Sequence, residues 1–407
     1  MAYDTATSSG TLQAYLLEHK TKEVVDQFQT DVLLYQLFTK EKRVKTEIAG
    51  GEQITVPVKI PAFPGIKNPA DAGTIAASRA LNTADTYTTM KNTQGTIDFL
   101  IKHVEQMKTD SLADLADTKM EDLKAWFKWY CAIQWYGNGY GALAQADQAV
   151  SGSTQRMADV RHIREGMVMD SYAAETGGSA TADSVVVTAV NFETRVVTFT
   201  GTISGCGAAD YWYLEDSRGT VMQGLKSLIG TTDNTVQNIN RGTAANYYFV
   251  PVVKAADAEG LTEKLLAESN HLVKLRGGEG PIKYCIVDPV GCWQLAARLK
   301  GLALKASDIE LEGGYSGIEF AYLGNKFQIL ADELITPGCA YGINPKTLKI
   351  FHTGLPHFSA LGGSIWKWTA NYMAYLAFMV YFAELTVSCP ASNFTITGLP
   401  SKWASIE

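Results

Sequence analysis

Hydrophobic positions change their spacing several times along the chain, and each change marks an element. Leu12, Tyr15 and Leu16, then Val24, Val25 and Phe28, recur at three and four residues and predict short amphipathic helices. A further apolar cluster covers 32–38. None of these pieces is long enough to close a core alone, so 1–47 reads as an arm that needs something to lie on. Over 48–104 the period drops to two. Ile54, Val56, Val58 and Ile60 alternate as a strand, and Pro57, which cannot donate to a ladder, points to an edge. Residues 61–84 are irregular and carry three prolines, and an extended pattern resumes at 86–104. The segment reads as a long hairpin projecting from the body, since an irregular stretch of that length inside a compact domain is uncommon.

The strongest helical signal spans 111–136. Asp110 or Ser111 caps it, Leu112, Leu115, Leu123, Trp126, Phe127, Tyr130 and Ile133 recur mostly at three and four residues, and Gly137 to Gly141 end it. A polar linker at 145–155 follows. The β-branched runs SVVVTAV and TRVVTFTG, with YWYLED, predict a small β-barrel or sandwich over 157–219. Residues 220–355 return to mixed helix and strand: a helix from Leu261 stopped by Gly277 and Gly278, a buried strand KYCIV, an Asp288 N-cap before Pro289 opening a helix to Leu299, and a hairpin about Gly324 and Asn325. The section 361–397 reads as mainly extended. Its uncharged stretch 368–382, bracketed by Lys367 and Glu384, is shorter than the ~20 residues a bilayer requires and is expected to be a core strand or helix.

Composition alters this picture in one respect. Charged residues make up 19% of 407, against about 25% in typical soluble domains, so much of the surface is expected to be covered by other protein. A net charge of −7 argues against broad gripping of nucleic-acid phosphates, although not against enclosing them. The six cysteines are scattered without a CxxC pair, which suggests a reducing compartment. The first residues lack the basic-then-apolar pattern of a secretory signal, so the cytoplasm is the expected place of synthesis and assembly.

Candidate chemistry is sparse. YGNGYG at 136–141 resembles a phosphate loop, but that loop needs a strand before it and a helix after it, whereas here a helix precedes. His352 and His357, separated by TGLP, do not share a helical face and read as surface or loop histidines. No GxSxG elbow occurs. Glu310 and Glu312 are paired carboxylates of the kind usually solvated, and the Trp and Tyr side chains of the long helix read as core or subunit interface. No catalytic residue, cofactor or metal site is expected, and the chain is not read as an enzyme.

Taken in order, the elements resemble one family, the major capsid proteins of tailed bacteriophages with the Hong Kong 97-type fold. The resemblance rests on LLYQLFTKEKRVKTEIAGGEQITVPVK (33–59), on TYTTMKNTQGTIDFLIKHVEQMKTD with the long helix and its Gly-rich end, and on MQGLKSLI, YCIVDPVGCWQLAARL and YLGNKFQILADELITPGCAYGINPKTLKI. It implies an α+β capsid fold: an N-terminal arm (1–47), an extended loop (48–104), a peripheral domain (105–156 and 356–407) with a long spine helix, and an axial domain (220–355). An inserted β-domain (157–219) departs from the minimal fold. It further implies self-assembly through hexamers and pentamers into an icosahedral shell, with portal, scaffold or decoration proteins as further partners. The shell would enclose double-stranded DNA without sequence-specific binding, making the chain a virion component. Pro57, Lys59, Lys67, Arg79, Trp126, Trp129, Glu310 and Glu312 are the expected assembly residues. Alternatives are an encapsulin-like compartment and an α/β nucleotide-binding enzyme using Gly137 to Gly141.

Overall fold

The computed structural model describes residues 32–46, 53–60, 82–100, 109–231, 235–257, 260–276, 280–299, 317–322, 325–359, 367–368 and 374–401. The expected short helices about 12–16 and 24–28 and residues 61–81 of the expected irregular stretch 61–84 lie outside them; its last three residues, 82–84, are corrected to strand, paired with 58–60.

The apolar cluster after Val32 forms helix α1 (Leu33–Lys40), followed by strand β1 (Val44–Lys45). Leu33, Leu34, Tyr35, Gln36, Leu37 and Phe38 are all buried. Each large apolar side chain so buried contributes roughly 1.5–3 kcal/mol. Residues 32–38 therefore pack into the core of the body, and a helix buried on nearly every side shows no polar face by which its sequence could orient it.

Strands β2 (Gln53–Ile60) and β3 (Asn82–Thr89) form the expected antiparallel hairpin, with Pro57 opposite Asp85 and Lys59 opposite Thr83. The alternation holds: Ile54, Val56 and Val58 are buried, Pro57 is exposed, and Thr86 Oγ1 donates to Val56 O at 2.9 Å. The hairpin is a sheet of its own, and Val58 joins its buried face to the core of the body. The extended pattern after it divides, because β4 (Lys91–Leu100) leaves the hairpin and pairs along β21 (Ala374–Val387).

β21 is the hub of a six-stranded sheet that also contains β1, β18 (Leu348–His352), β19 (His357–Phe358) and β20 (Lys367–Trp368). The long helix α2 (Thr109–Tyr136) crosses this sheet at Gly95, where an added Cβ would stand 2.7 Å from Leu123 Cδ1. Lys119 Nζ fixes the crossing with hydrogen bonds to Asp98 O (2.7 Å) and Oδ1 (3.0 Å).

The β-rich block is a six-stranded sheet in the order β5-β10-β7-β8-β9-β6, formed by β5 (Ala144–Gln145), β6 (Thr154–Arg156), β7 (Val168–Tyr172), β8 (Ala180–Asn191), β9 (Val196–Phe199) and β10 (Tyr211–Leu214). A bridge between Ala146 and Met157, with Asp147 N donating to Arg156 O at 2.9 Å, joins its two end strands and closes a barrel. The expected polar linker 145–155 is corrected accordingly. It supplies both closing strands, and two- or three-residue polar strands carry no readable period. Met157, Met169, Val197, Phe199 and Trp212 fill the interior, with Phe199 and Trp212 stacked at 4.4 Å.

Helix α3 (Leu225–Ile229) and a short ribbon of β11 (Thr235–Val236) and β12 (Ile239–Asn240) lead to a third sheet in the order β13-β22-β17-β14-β16-β15. Its strands are β13 (Val252–Ala255), β14 (Tyr284–Val287), β15 (Gly317–Tyr322), β16 (Asn325–Ala331), β17 (Ala340–Ile343) and β22 (Phe394–Thr397). Helices α4 (Glu263–Leu275), capped by Thr262, and α5 (Pro289–Leu299) contribute to its core. Sheet membership crosses the boundary expected at 355/356: β18 joins the β21 sheet, while β22 returns to this one.

Candidate functional site

Three parts of the chain converge where α2 ends. Trp135 and Tyr136 are its last apolar residues and are buried. Trp135 stacks on Tyr35 of α1 at 5.5 Å and donates its indole N–H to Met222 Sδ at 2.8 Å. Tyr136 donates its hydroxyl to Asp332 Oδ2 at 2.5 Å, and Thr336 Oγ1 donates to the Tyr136 carbonyl at 2.9 Å. Burial raises the Asp332 carboxyl above its ordinary range, against the lowering effect of the Tyr136 hydroxyl. Gly139 and Gly141 then take left-handed backbone (φ +83° and +85°), and Gly224 packs so close to the helix end that a Cβ would stand 2.4 Å from Gln134 O. No helix begins at these glycines; the next element is the two-residue β5. They end a helix, and the geometry removes the nucleotide-loop reading, which needs helix N–H groups facing the phosphate.

A cavity of about 220 Å³ lies beside this junction, lined by Tyr130, Asn138, His162, Glu175 and Lys226 among others. His162 is buried with Nε2 unpartnered, and its ring lies edge-on to Trp129 at 6.4 Å. Burial, reinforced by the Arg161 and Arg164 cations, pushes its pKa down to about 3, so it is neutral. Arg161 ties the barrel to the third sheet. Its Nη1 lies 2.8 Å from Asp288 Oδ2 and its Nη2 donates to Ser401 O at 3.3 Å. Asp288 is fully buried and also accepts from Val290 N and Gly338 N, so the N-cap expected from Asp288-Pro289 doubles as the anchor of the barrel.

Of the expected assembly residues, Trp126 and Trp129 meet edge to face at 5.6 Å, with Trp126 42% exposed. Pro57 and Lys59 share β2. Lys67, Arg79, Glu310 and Glu312 lie outside the described residues. His352 is a correction. It is buried in β18, its ring 6.4 Å from Tyr35 and 6.2 Å from Tyr381, because the alternation Leu348, Ile350, His352 puts it on the inner face. The sequence reading also missed Arg161, Arg164 and Arg241. The last is a buried guanidinium donating to Phe249 O (3.0 Å) and Ser227 O (2.9 Å), with its pKa lowered by burial to about 9. The acceptors of Arg164 and Arg241 are main-chain carbonyls, which any residue carries, and Asp288 lies 127 residues from Arg161, so no side-chain spacing marks the three.

Among the described residues, no group of three or more His, Cys, Asp and Glu is arranged to hold a metal, and no helix is long and apolar enough to cross a membrane.

No family model and no curated protein matches the chain. Solved structures do. A chain of the capsid asymmetric unit of cyanophage A-1(L) superposes with a TM-score of 0.51 at 10% identity, over 95% of each chain. The capsid of a native GTA particle gives 0.44 at 8% identity, covering 89% of this chain and 90% of the other. The SrpI encapsulin of Synechococcus elongatus gives 0.41 at 7%, covering 86% and 83%. With helix and sheet matched along nearly the full length of the cyanophage capsid chain, this protein has the α+β Hong Kong 97-type capsid fold.

Proposed function

We propose that the chain is a major capsid protein that assembles through hexamers and pentamers into an icosahedral head shell enclosing a phage genome. The observation that carries this reading is the fold shared with the cyanophage capsid chain over 95% of both. It is a structural protein in this reading, and the shortage of charge and the separate hairpin support it. The hairpin β2/β3 and the segment between its strands act as the extended loop reaching a neighbouring subunit, with Pro57, Lys59, Lys67 and Arg79 on it. The β21 sheet with α2 forms the peripheral domain, and the sheet from β13 to β17 with β22 forms the axial domain, in which Glu310 and Glu312 belong. The barrel is an insertion between them and begins at about residue 144. Portal, scaffold and decoration proteins are its further partners, and double-stranded DNA is enclosed without being read.

The test is expression followed by negative-stain electron microscopy. Uniform shells, or rings of five and six subunits, are expected; a chain that stays monomeric across salt conditions, with scaffold supplied, would overturn the proposal. An encapsulin-like compartment would form shells that copurify with a protein cargo, so analysis of particle contents separates the two.

A further inference from the structure

An exposed patch of aromatic side chains joins α2 to the tip of the β8–β9 hairpin. Phe192 at that tip is 56% exposed and Trp126 on the helix 42%. Between them the Arg164 guanidinium stands 5.5 Å from the Trp129 ring and 5.4 Å from the Phe192 ring. Its Nη1 donates to the carbonyls of Arg161 (2.7 Å) and Ile163 (2.9 Å), which hold the cation between the two rings. Among the described residues, Arg164 faces carbonyls and rings and no carboxylate ion pair. A cation and three aromatics clustered at the surface make a surface suited to an apolar and acidic partner.

The far end of the chain arrives next to it. Ser401 O accepts from Arg161 Nη2 at 3.3 Å, and the Arg161 carbonyl in turn receives the Arg164 guanidinium. One arginine residue therefore separates Ser401 from the patch. Residues 402–407, Lys-Trp-Ala-Ser-Ile-Glu, follow directly. They carry two large apolar side chains and a carboxylate, which complements rings flanking a guanidinium that among the described residues bonds only carbonyls. Six residues reach about 20 Å when extended, ample for that span.

We propose that residues 402–407 dock on this patch, with Trp403 and Ile406 covering Trp126 and Phe192 and Glu407 facing Arg164. The tail is then a strap. It crosses from the third sheet, through β22 and Ser401, over the barrel to α2, and fixes the barrel against the body together with the Arg161–Asp288 pair. The proposal is independent of shell formation, because the contact is made within one chain.

Two experiments on the unassembled full-length chain test it. A photo-crosslinking benzoylphenylalanine in place of Trp403 is expected to mark the segment 126–129 or the turn at 192 of its own chain. Crosslinks confined to other segments, crosslinks joining two chains, or none would overturn it. Hydroxyl-radical footprinting of a chain ending at Ser401 is expected to raise oxidation of Trp126 and Phe192 several-fold while buried Trp135 stays protected. Unchanged oxidation would count against docking. If Trp135 also becomes reactive, the truncation has disturbed folding, and the double change Trp403→Ser, Ile406→Ser, read in the same way, decides.

Discussion

Glu384 lies three residues before the end of β21 with its side chain fully buried. One carboxyl oxygen accepts from Gln223 N at 3.1 Å; the other is buried without a partner, as is Gln223 Oε1. Burial therefore raises its pKa well above the ordinary 4.5, outweighing the Gln223 N–H and the Lys91 charge, which lower it. The folded chain holds a proton that the unfolded chain releases, so stability contributed below pH about 4.5 is lost as the pH rises towards the folded value. Glu384→Gln keeps the acceptor for Gln223 and removes that dependence. It should stabilise the protein at pH 7 by about 1–3 kcal/mol in urea unfolding, with little effect near pH 4. His162 has the opposite sign. With its pKa near 3, well below the ordinary 6.5, the neutral ring contributes stability that is complete above pH 6.5 and is lost as the pH falls towards 3. His162→Phe, which retains a ring against Trp129, should lose stability less steeply with acid than wild type, the gap changing by about 1 kcal/mol per pH unit between 6 and 4. Neither position was legible in the sequence. Glu384 reads as the end of an apolar run rather than part of it, and what keeps it inside is a backbone N–H contributed by residue 223.

At the scale of elements, period and punctuation carried most of the information. The Thr109–Tyr136 helix, the Asp288-capped α5 and the β15–β16 hairpin were readable because a repeated spacing ends at Gly, Pro or Asn. β5 and β6 were not, since barrel closure by so few residues is decided by pairing with β10 and β9. The allegiance of β18 and β22 to opposite sheets is likewise a matter of non-local pairing. The hairpin gives an element-level prediction. Its strands are fully paired from Gln53–Thr89 to Ile60–Asn82, with Ile54, Val56 and Val58 buried and Val58 joining the core of the body. Replacing 61–81 with a short Gly-Ser linker should leave the subunit folded, with stability changed by less than about 2 kcal/mol since closure entropy varies slowly with length. Shells should not form. Loss of the cooperative unfolding transition would instead place 61–81 in the core of the subunit and refute the extended-loop assignment.

For the whole molecule, low charge and full-length likeness to a capsid chain bear on how subunits would associate. Charged residues are 19% of the chain, while Tyr87, Tyr140 and Leu275 are all more than a third exposed. Interfaces built on such side chains draw on apolar burial, and many weak copies act together around the rotation axes of a shell. Salt separates this from association through ion pairs. Raising NaCl from 0.1 to 1 M shortens the screening length from about 10 to about 3 Å, which weakens exposed charge pairs and leaves apolar burial intact. The threshold concentration for assembly, followed by light scattering, should therefore stay level or fall as salt rises, and sulfate should lower it further. A tenfold rise in that threshold would correspond to about 1.4 kcal/mol lost per subunit, which would locate the association energy in charge pairs and leave the low charge content of the sequence without an assembly role.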